Sequence, residues 1–174
     1  GKCLATLEGH TESVSGATQL EDGRILSWAG VDIPRLWDAK TGKCIATLEG
    51  HTDGVLGAKK LEDGRILSWG WEDILRIWDP ETGKSSVTLE GHTSWVSGAI
   101  ELKDGRILSW GMWADSSPAK GADPLRIWDK NTGKCLAALE GLTRLVSGAM
   151  ELKDGRILSW AEDHTLRIWD AETG

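Results

Sequence analysis

Histidine, serine and aspartate are the residue types of a hydrolytic triad, and this chain carries them at repeating intervals. His10 precedes Ser27, His51 precedes Ser68 and His92 precedes Ser109 at the same spacing, and a last set pairs Ser159 with Asp163. A hydroxyl, an imidazole and a carboxylate in line could attack an acyl group. The same residues are fully accounted for as a buried hydrogen-bonded network, because polar groups inside a fold require partners. Other site chemistry is thinly represented. Cys3, Cys44 and Cys135 are odd in number, form no Cys-x-x-Cys pair and occupy one equivalent slot, which Ser85 fills in the remaining repeat. They read as small buried thiols, so neither a disulfide framework nor a zinc site is expected. No His-x-x-x-His pair, phosphate loop or acidic calcium loop is present, so no cofactor and no metal are expected.

The elements that must position these residues come from a repeated phrase. Asp-Gly-Arg-Ile-Leu-Ser-Trp begins at Asp22, Asp63, Asp104 and Asp154, and each copy is answered by a Trp-Asp at Trp37, Trp78, Trp128 or Trp169. Repeats open at Gly1, Gly42, Gly83 and Gly133, at spacings of 41, 41 and 50 residues. Each unit reads as four short strands, in the first unit Cys3–Leu7, Val14–Leu20, Arg24–Trp28 and Pro34–Trp37. The Asp-Gly pairs are tight hairpin turns, since glycine supplies the positive φ that such turns demand. No segment shows helical periodicity. A four-stranded unit of about 40 residues cannot bury both faces alone and must stack on its neighbours. Such sheets repeated around an axis make an all-β, β-propeller fold of four-stranded antiparallel blades. Small pairs at Gly16-Ala17, Gly57-Ala58, Gly98-Ala99 and Gly148-Ala149 suit an innermost strand where blades crowd together.

Gly9-His10, Gly50-His51 and Gly91-His92, each followed by a strand and later by Trp-Asp, resemble WD repeats over the whole chain. That resemblance implies a buried structural tetrad of His, strand-b Ser, turn Asp and Trp. Its candidates are His10, Ser27 and Trp37; His51, Ser68 and Trp78; His92, Ser109 and Trp128; and Ser159, Asp163 and Trp169. A serine held inside a blade would not be presented to a substrate, so no catalytic residue and no enzyme activity are expected. The tetrad reads as incomplete. Val31 and Glu72 stand where Asp is due, with Asp32 and Asp73 as possible substitutes, and Leu142 replaces the last histidine. A stranded polar group would cost about 1–3 kcal/mol.

The resemblance also implies the strand order d-abc-d-abc-d-abc-d-abc. Residues 1–9 supply an outer strand with no blade of its own. Blades then occupy 10–50, 51–91, 92–141 (with a long loop at 111–125) and 142–174, the last lacking its outer strand. Propellers of this kind close with seven or eight blades, so four wedges span half a ring. A two-fold homodimer forming one eight-bladed ring by strand exchange is expected, each Cys3–Leu7 completing the partner's last blade. A strained four-blade ring within one chain, and a fragment assembling only inside a longer parent, are the alternatives. Repeat sequence begins directly at Gly1, as in an excised or engineered segment.

Where the copies disagree is where function is expected. Of 11 Trp, eight belong to the repeated frame, and there is no Phe or Tyr. The other three, Trp71, Trp95 and Trp113, fall in loops that emerge on one face of the disc. Val31, Ile33, Met112, Leu142 and Leu145 fall there too, with Lys59, Lys60 and Arg144 as charged neighbours on the rim. Exposed apolar clusters mark interaction sites, and Trp is the residue most enriched at binding hot spots. Near-identical blades varying at one face resemble the sensor propellers of NACHT-type signalling ATPases. The resemblance implies a non-enzymatic recognition module whose partner-binding residues are Trp71, Trp95, Trp113, Met112, Val31, Leu142, Leu145, Arg144 and Lys59, taking a protein or peptide. A self-assembling half-propeller scaffold without ligand is the alternative, and a glycan or small-molecule site at the central opening is a third. The net charge of -7 argues against a nucleic-acid partner. No apolar run approaches the roughly 20 residues of a membrane span. With free thiols and no leader pattern, a cytoplasmic setting is expected.

Overall fold

The computed structural model describes residues 1–112, 125–142 and 144–172. In the first sheet β1 (Val14–Gln19), β2 (Ile25–Ala29), β3 (Asp32–Trp37) and β4 (Cys44–Thr47) pair antiparallel in chain order. The second sheet repeats the plan with β5 (Val55–Lys60), β6 (Ile66–Gly70), β7 (Ile74–Trp78) and β8 (Ser85–Glu90). The third has β9 (Val96–Glu101), β10 (Ile107–Gly111), β11 (Leu125–Trp128) and β12 (Cys135–Leu139). The last has only β13 (Val146–Glu151), β14 (Ile157–Ala161) and β15 (Leu166–Trp169). Residues 1–13 form no strand in the single chain, and Leu4 is 92% exposed. The reason is topological: an outermost strand needs a free edge beside it, and β4 already occupies that edge in the first sheet.

The hairpin turns are built as their sequence dictates. Gly23 takes a φ of 87°, and the Asp22 carboxylate accepts the Arg24 N–H at 2.9 Å. After each Trp-Asp the aspartate closes the next turn, Asp38 accepting the N–H groups of Lys40 and Thr41 at 2.8 Å each. The recurring glycine of the inner strand has a cause within its own sheet. Gly16 lies opposite Trp28, and a Cβ there would come 2.4 Å from the indole Cζ2. The Gly57–Trp69, Gly98–Trp110 and Gly148–Trp160 pairs repeat that contact. The alanine that follows faces the previous sheet instead. Ala58, Ala99 and Ala149 are all buried in the inter-sheet cores.

One packing solution is used three times. Leu20, Leu26, Leu36 and Leu48 of the first sheet meet Ala58, Ile66 and Trp78 of the second. Leu61, Leu67, Ile77 and Leu89 meet Ala99, Ile107 and Trp128. Leu102, Leu108, Ile127 and Leu139 then meet Ala149 and Ile157. At the two ends the same slots lie open. Val14 is 58% exposed where Val55, Val96 and Val146 are sealed, and Ile168 is 56% exposed where Ile77 and Ile127 are fully buried. The chain is therefore an arc of blade-like sheets with two unfinished end surfaces.

An arginine ties each sheet to the next at the edge carrying the Asp-Gly turns. Arg24 donates to Pro80 O at 2.9 Å and to Glu81 at 2.6 Å. Arg65 reaches Lys130 O at 3.1 Å and Asn131 at 2.8 Å, and Arg106 reaches Ala171 O at 2.8 Å and Glu172 at 2.9 Å. The Arg156 guanidinium, at the end of the arc, bonds among the described residues only to Asp154 of its own turn. The burial expected of the thiols is corrected: Cys3 and Cys44 are exposed and Cys135 is half-buried, because their slot lies on the outermost strand.

Candidate functional site

In the first sheet the Trp37 indole donates to Ser27 Oγ at 2.7 Å, and Ser27 Oγ lies 2.7 Å from His10 Nε2. His10 Nδ1 lies 2.7 Å from Asp32, whose carboxylate also accepts the Thr11 N–H. With the serine hydroxyl accepting from the indole, its proton goes to Nε2, and Nδ1–H goes to the carboxylate. The second sheet repeats the relay through Trp78, Ser68 and His51, at 2.7 Å and 2.6 Å. The third places Trp128 and His92 on Ser109 at 2.7 Å and 2.6 Å. Burial pushes the His51 imidazolium pKa below its ordinary value, so the ring is neutral near pH 7 and accepts from the serine.

The carboxylate ends meet the sequence expectation at Asp32, the substitute named for Val31, and depart from it at Glu72. Asp32 serves in the first sheet, brought into place by a register irregularity that pairs it with Ala29. In the second sheet Glu72 itself serves and Asp73 is not needed. Its longer side chain contacts His51 Nδ1 at 3.3 Å and accepts the backbone N–H groups of Thr52 and Asp53. Burial opposes the Glu72 charge, but those backbone donors win and hold its pKa below the usual value. In the last sheet Leu142 is buried with Leu139 and Val146, and Trp169 still donates to Ser159 at 2.8 Å. Asp163 is not stranded: it accepts from Thr165 and from Arg167 at 3.2 Å. The serines are buried, and each oxygen is already engaged by an indole. The geometry braces a sheet and presents no nucleophile.

The second candidate lies where the β6–β7 turn meets the segment before β9. The Trp71 and Trp95 rings lie 6.1 Å apart, tilted by 36°. The Trp71 N–H donates to Gly54 O at 2.8 Å, and its ring lies across Gly54, where a Cβ would come 2.8 Å from Cε3. Trp71 nevertheless keeps 37% and Trp95 42% of its surface exposed. Together with Asp53, Asp73, Ile74 and Arg76 they line a cleft of about 460 Å³.

The other expected partner-binding residues are dispersed. Val31 is exposed on the β2–β3 turn, Arg144 is exposed before β13, and Leu145 is half-buried with its carbonyl accepting the Glu162 N–H. Met112 is half-buried and donates its N–H to Trp95 O. Leu142 is a core residue and offers no surface, a correction that follows from its filling the histidine slot with hydrocarbon. Lys59 is exposed, but it lies near the far end of β5 from Val55, beside Lys60 and Glu62, away from the tryptophans. Trp113 lies outside the described residues. Sequence reasoning missed the inter-sheet arginines and Asp53. The arginines sit in the invariant phrase, and only the changing pairs after Trp-Asp, such as Pro80-Glu81 and Lys130-Asn131, hint at what they reach.

Among the described residues no His, Cys, Asp or Glu cluster is arranged to hold a metal ion, and no helix is long and apolar enough to cross a membrane. The family described as WD domain, G-beta repeat matches residues 42–79. No curated protein sequence aligns significantly with the chain. Among solved structures, the computationally designed Ika4 protein superimposes with a TM-score of 0.80 at 26% identity, over 100% of this chain and 99% of that one. The computationally designed Ika8 protein gives 0.80 at 26% identity over 98% of this chain, which spans only 50% of the Ika8 chain. The WD40 β-propeller domain of Doa1 gives 0.75 at 26% identity over 95% of this chain and 53% of that one. The chain thus carries WD40 β-propeller-like repeats, of a kind that generally serves as a non-enzymatic binding scaffold.

Proposed function

We propose that this chain is a recognition module whose loop face binds a protein or peptide through Trp71 and Trp95. The observation that carries the reading is their partial exposure over one cleft. Among the frame tryptophans only Trp160, on the open end surface of the arc, is comparably exposed at 38%, whereas this pair leaves over a third of each residue in solvent beside a packed blade. Met112, Val31, Leu145 and Arg144 extend the same variable face in this reading. A binding screen comparing the parent with a Trp71→Ala/Trp95→Ala variant tests it. Capture lost in the variant supports the reading, and equal capture by both proteins overturns it.

The ring that carries this face is completed by a second copy, in a two-fold homodimer of eight blades. The two open ends supply opposite halves of the interface repeated inside the chain. Leu152, Leu158 and Ile168 occupy the slots of Leu102, Leu108 and Ile127, while Ala17, Ile25 and Trp37 occupy those of Ala149, Ile157 and Trp169. Leu7 stands at the slot of the buried Leu48, Leu89 and Leu139, so Cys3–Leu7 adds as the fourth strand beside the partner's β15. One polar slot agrees as well. The N–H of Glu62 bonds Glu101, and that of Lys103 bonds Glu151. The corresponding pair at closure is the Lys153 N–H with the Gln19 side-chain oxygen of the second copy. Because Ika8 matches at half its length while Ika4 matches at full length, four-sheet arcs occur in both contexts. Deleting residues 2–7 should leave a monomer, and a deletion variant that keeps the parental mass would contradict strand exchange.

A further inference from the structure

We infer that the Trp71–Trp95 cleft is a cation-accepting site, built for a lysine or arginine side chain of the partner. This rests on the loop face being a recognition surface and specifies its chemistry. The two indoles offer electron-rich faces, and a cation within about 6 Å of such a ring is attracted to it. The carboxylates around them point to the same occupant. Asp53 and Asp73 are exposed on the cleft wall, and among the described residues neither forms a side-chain ion pair. One Asp53 oxygen accepts the Gly54 N–H at 2.7 Å, which fixes the side chain and leaves its second oxygen for a ligand.

The remaining charges do not reverse the field. Glu72 is spent inside the blade on His51, Thr52 and Asp53, yet it stays ionised behind the cleft. Arg76 is the single cation among the described lining residues. It is half-buried, with one guanidinium nitrogen turned to Thr88 Oγ1 at 3.5 Å. Among the described residues no lysine lines the cleft. Three carboxylates against one inward-turned arginine, on a chain of net charge -7, repel an acidic peptide and give an apolar one nothing for the carboxylates to do. The site is also preformed. The Trp71 backbone N–H is held by Gly54 O, and its ring packs close over Gly54 and beside Trp95, so little ordering is needed when a ligand arrives.

The test uses the assembled protein and three fluorescein-labelled peptides of one frame, Gly-Ser-Xaa-Ser-Xaa-Ser-Gly, with lysine, norleucine or glutamate at Xaa, read by fluorescence anisotropy at low salt. The lysine peptide should bind about tenfold more tightly than the norleucine peptide, and the glutamate peptide should not bind. Asp53→Asn/Asp73→Asn, a surface change that keeps the fold, should remove most of that difference. Trp71→Ala/Trp95→Ala should abolish binding. Equal affinities for lysine and norleucine, an unchanged lysine preference in the double Asn variant, or no lysine-peptide binding overturns the inference. Failure of the broader reading looks different. Tryptophan-dependent binding of the norleucine or glutamate peptide rejects the cation while keeping the face. Absence of any Trp71- or Trp95-dependent binding here and in the screen rejects both.

Discussion

Arg24 of the first sheet donates a guanidinium N–H to the Pro80 carbonyl of the second, 2.9 Å away across 56 residues of sequence. The same bond is made by Arg65 to Lys130 and by Arg106 to Ala171. Continuing the series, Arg156 should donate to the Ala39 carbonyl of a second copy. The next position breaks the pattern: Glu81, Asn131 and Glu172 accept from their arginines, but Lys40 holds that slot in the first sheet. Nor do Gln19 and Ala39 reproduce the ion pairs of Lys130 with Glu101 and Asp63. In the proposed dimer the closing seam would thus have the apolar complement of the internal ones and fewer charges.

Lys40→Glu should therefore tighten the dimer by removing a cation from beside Arg156. The change is worth about 0.5–1 kcal/mol, a severalfold drop in dissociation constant at low salt. Arg156→Ala should loosen it by a similar factor. Sedimentation across a dilution series checks both, and a Lys40→Glu protein no tighter than the parent would misplace the seam.

Ser68→Ala should cost about 2 kcal/mol in urea unfolding, because it strands the Trp78 indole N–H and takes the His51 partner in a sealed site. Ser159→Ala should cost less. Its oxygen serves Trp169 alone among these partners, since Leu142 replaces the histidine and Trp169 is half-buried.

How far these relations can be read in the sequence depends on their range. Repeat length and the Asp-Gly turns were legible because each follows from local spacing, whereas the strand order and the His–Ser–Trp relay came from the resemblance to WD repeats. The carboxylate of the relay was legible only in part, Asp32 as a substitute for Val31 and Glu72 not at all. A one-residue irregularity at Ala29 delivers Asp32, and one added methylene lets Glu72 reach by itself. Leu142 read as a surface residue because an apolar side chain in a polar slot carries no sign of which way it turns, and the structure buries it. The exposure of Cys44 followed from its place on an outer strand rather than from its residue type. The arginine contacts join repeats, so no single repeat displays them.

Gly57→Ala should destabilise by about 1–3 kcal/mol, since the added methyl meets the Trp69 ring at 2.4 Å. Gly64→Ala, at a hairpin φ of 90° with open space around it, tests backbone strain without a clash. Loss of the near-UV tryptophan circular dichroism in the first variant and not in the second would separate the two causes.

Stability should fall as pH drops below about 6.5. Burial lowers the His51 pKa in the folded state, so the unfolded chain binds more protons between the folded and unfolded values. The stabilisation is complete above the unfolded pKa and is lost as pH falls through the folded one. Glu72, also lowered, adds a second loss below about 4.5. His51→Leu, which copies the arrangement at Leu142, should flatten the first segment of urea-midpoint against pH and leave the second.

The central claim is that two chains complete one ring, and the mass in solution tests it most directly. Multi-angle light scattering should give a single species at twice the 18.9 kDa chain mass, unchanged on dilution through the micromolar range. A homogeneous species at 18.9 kDa would contradict the account.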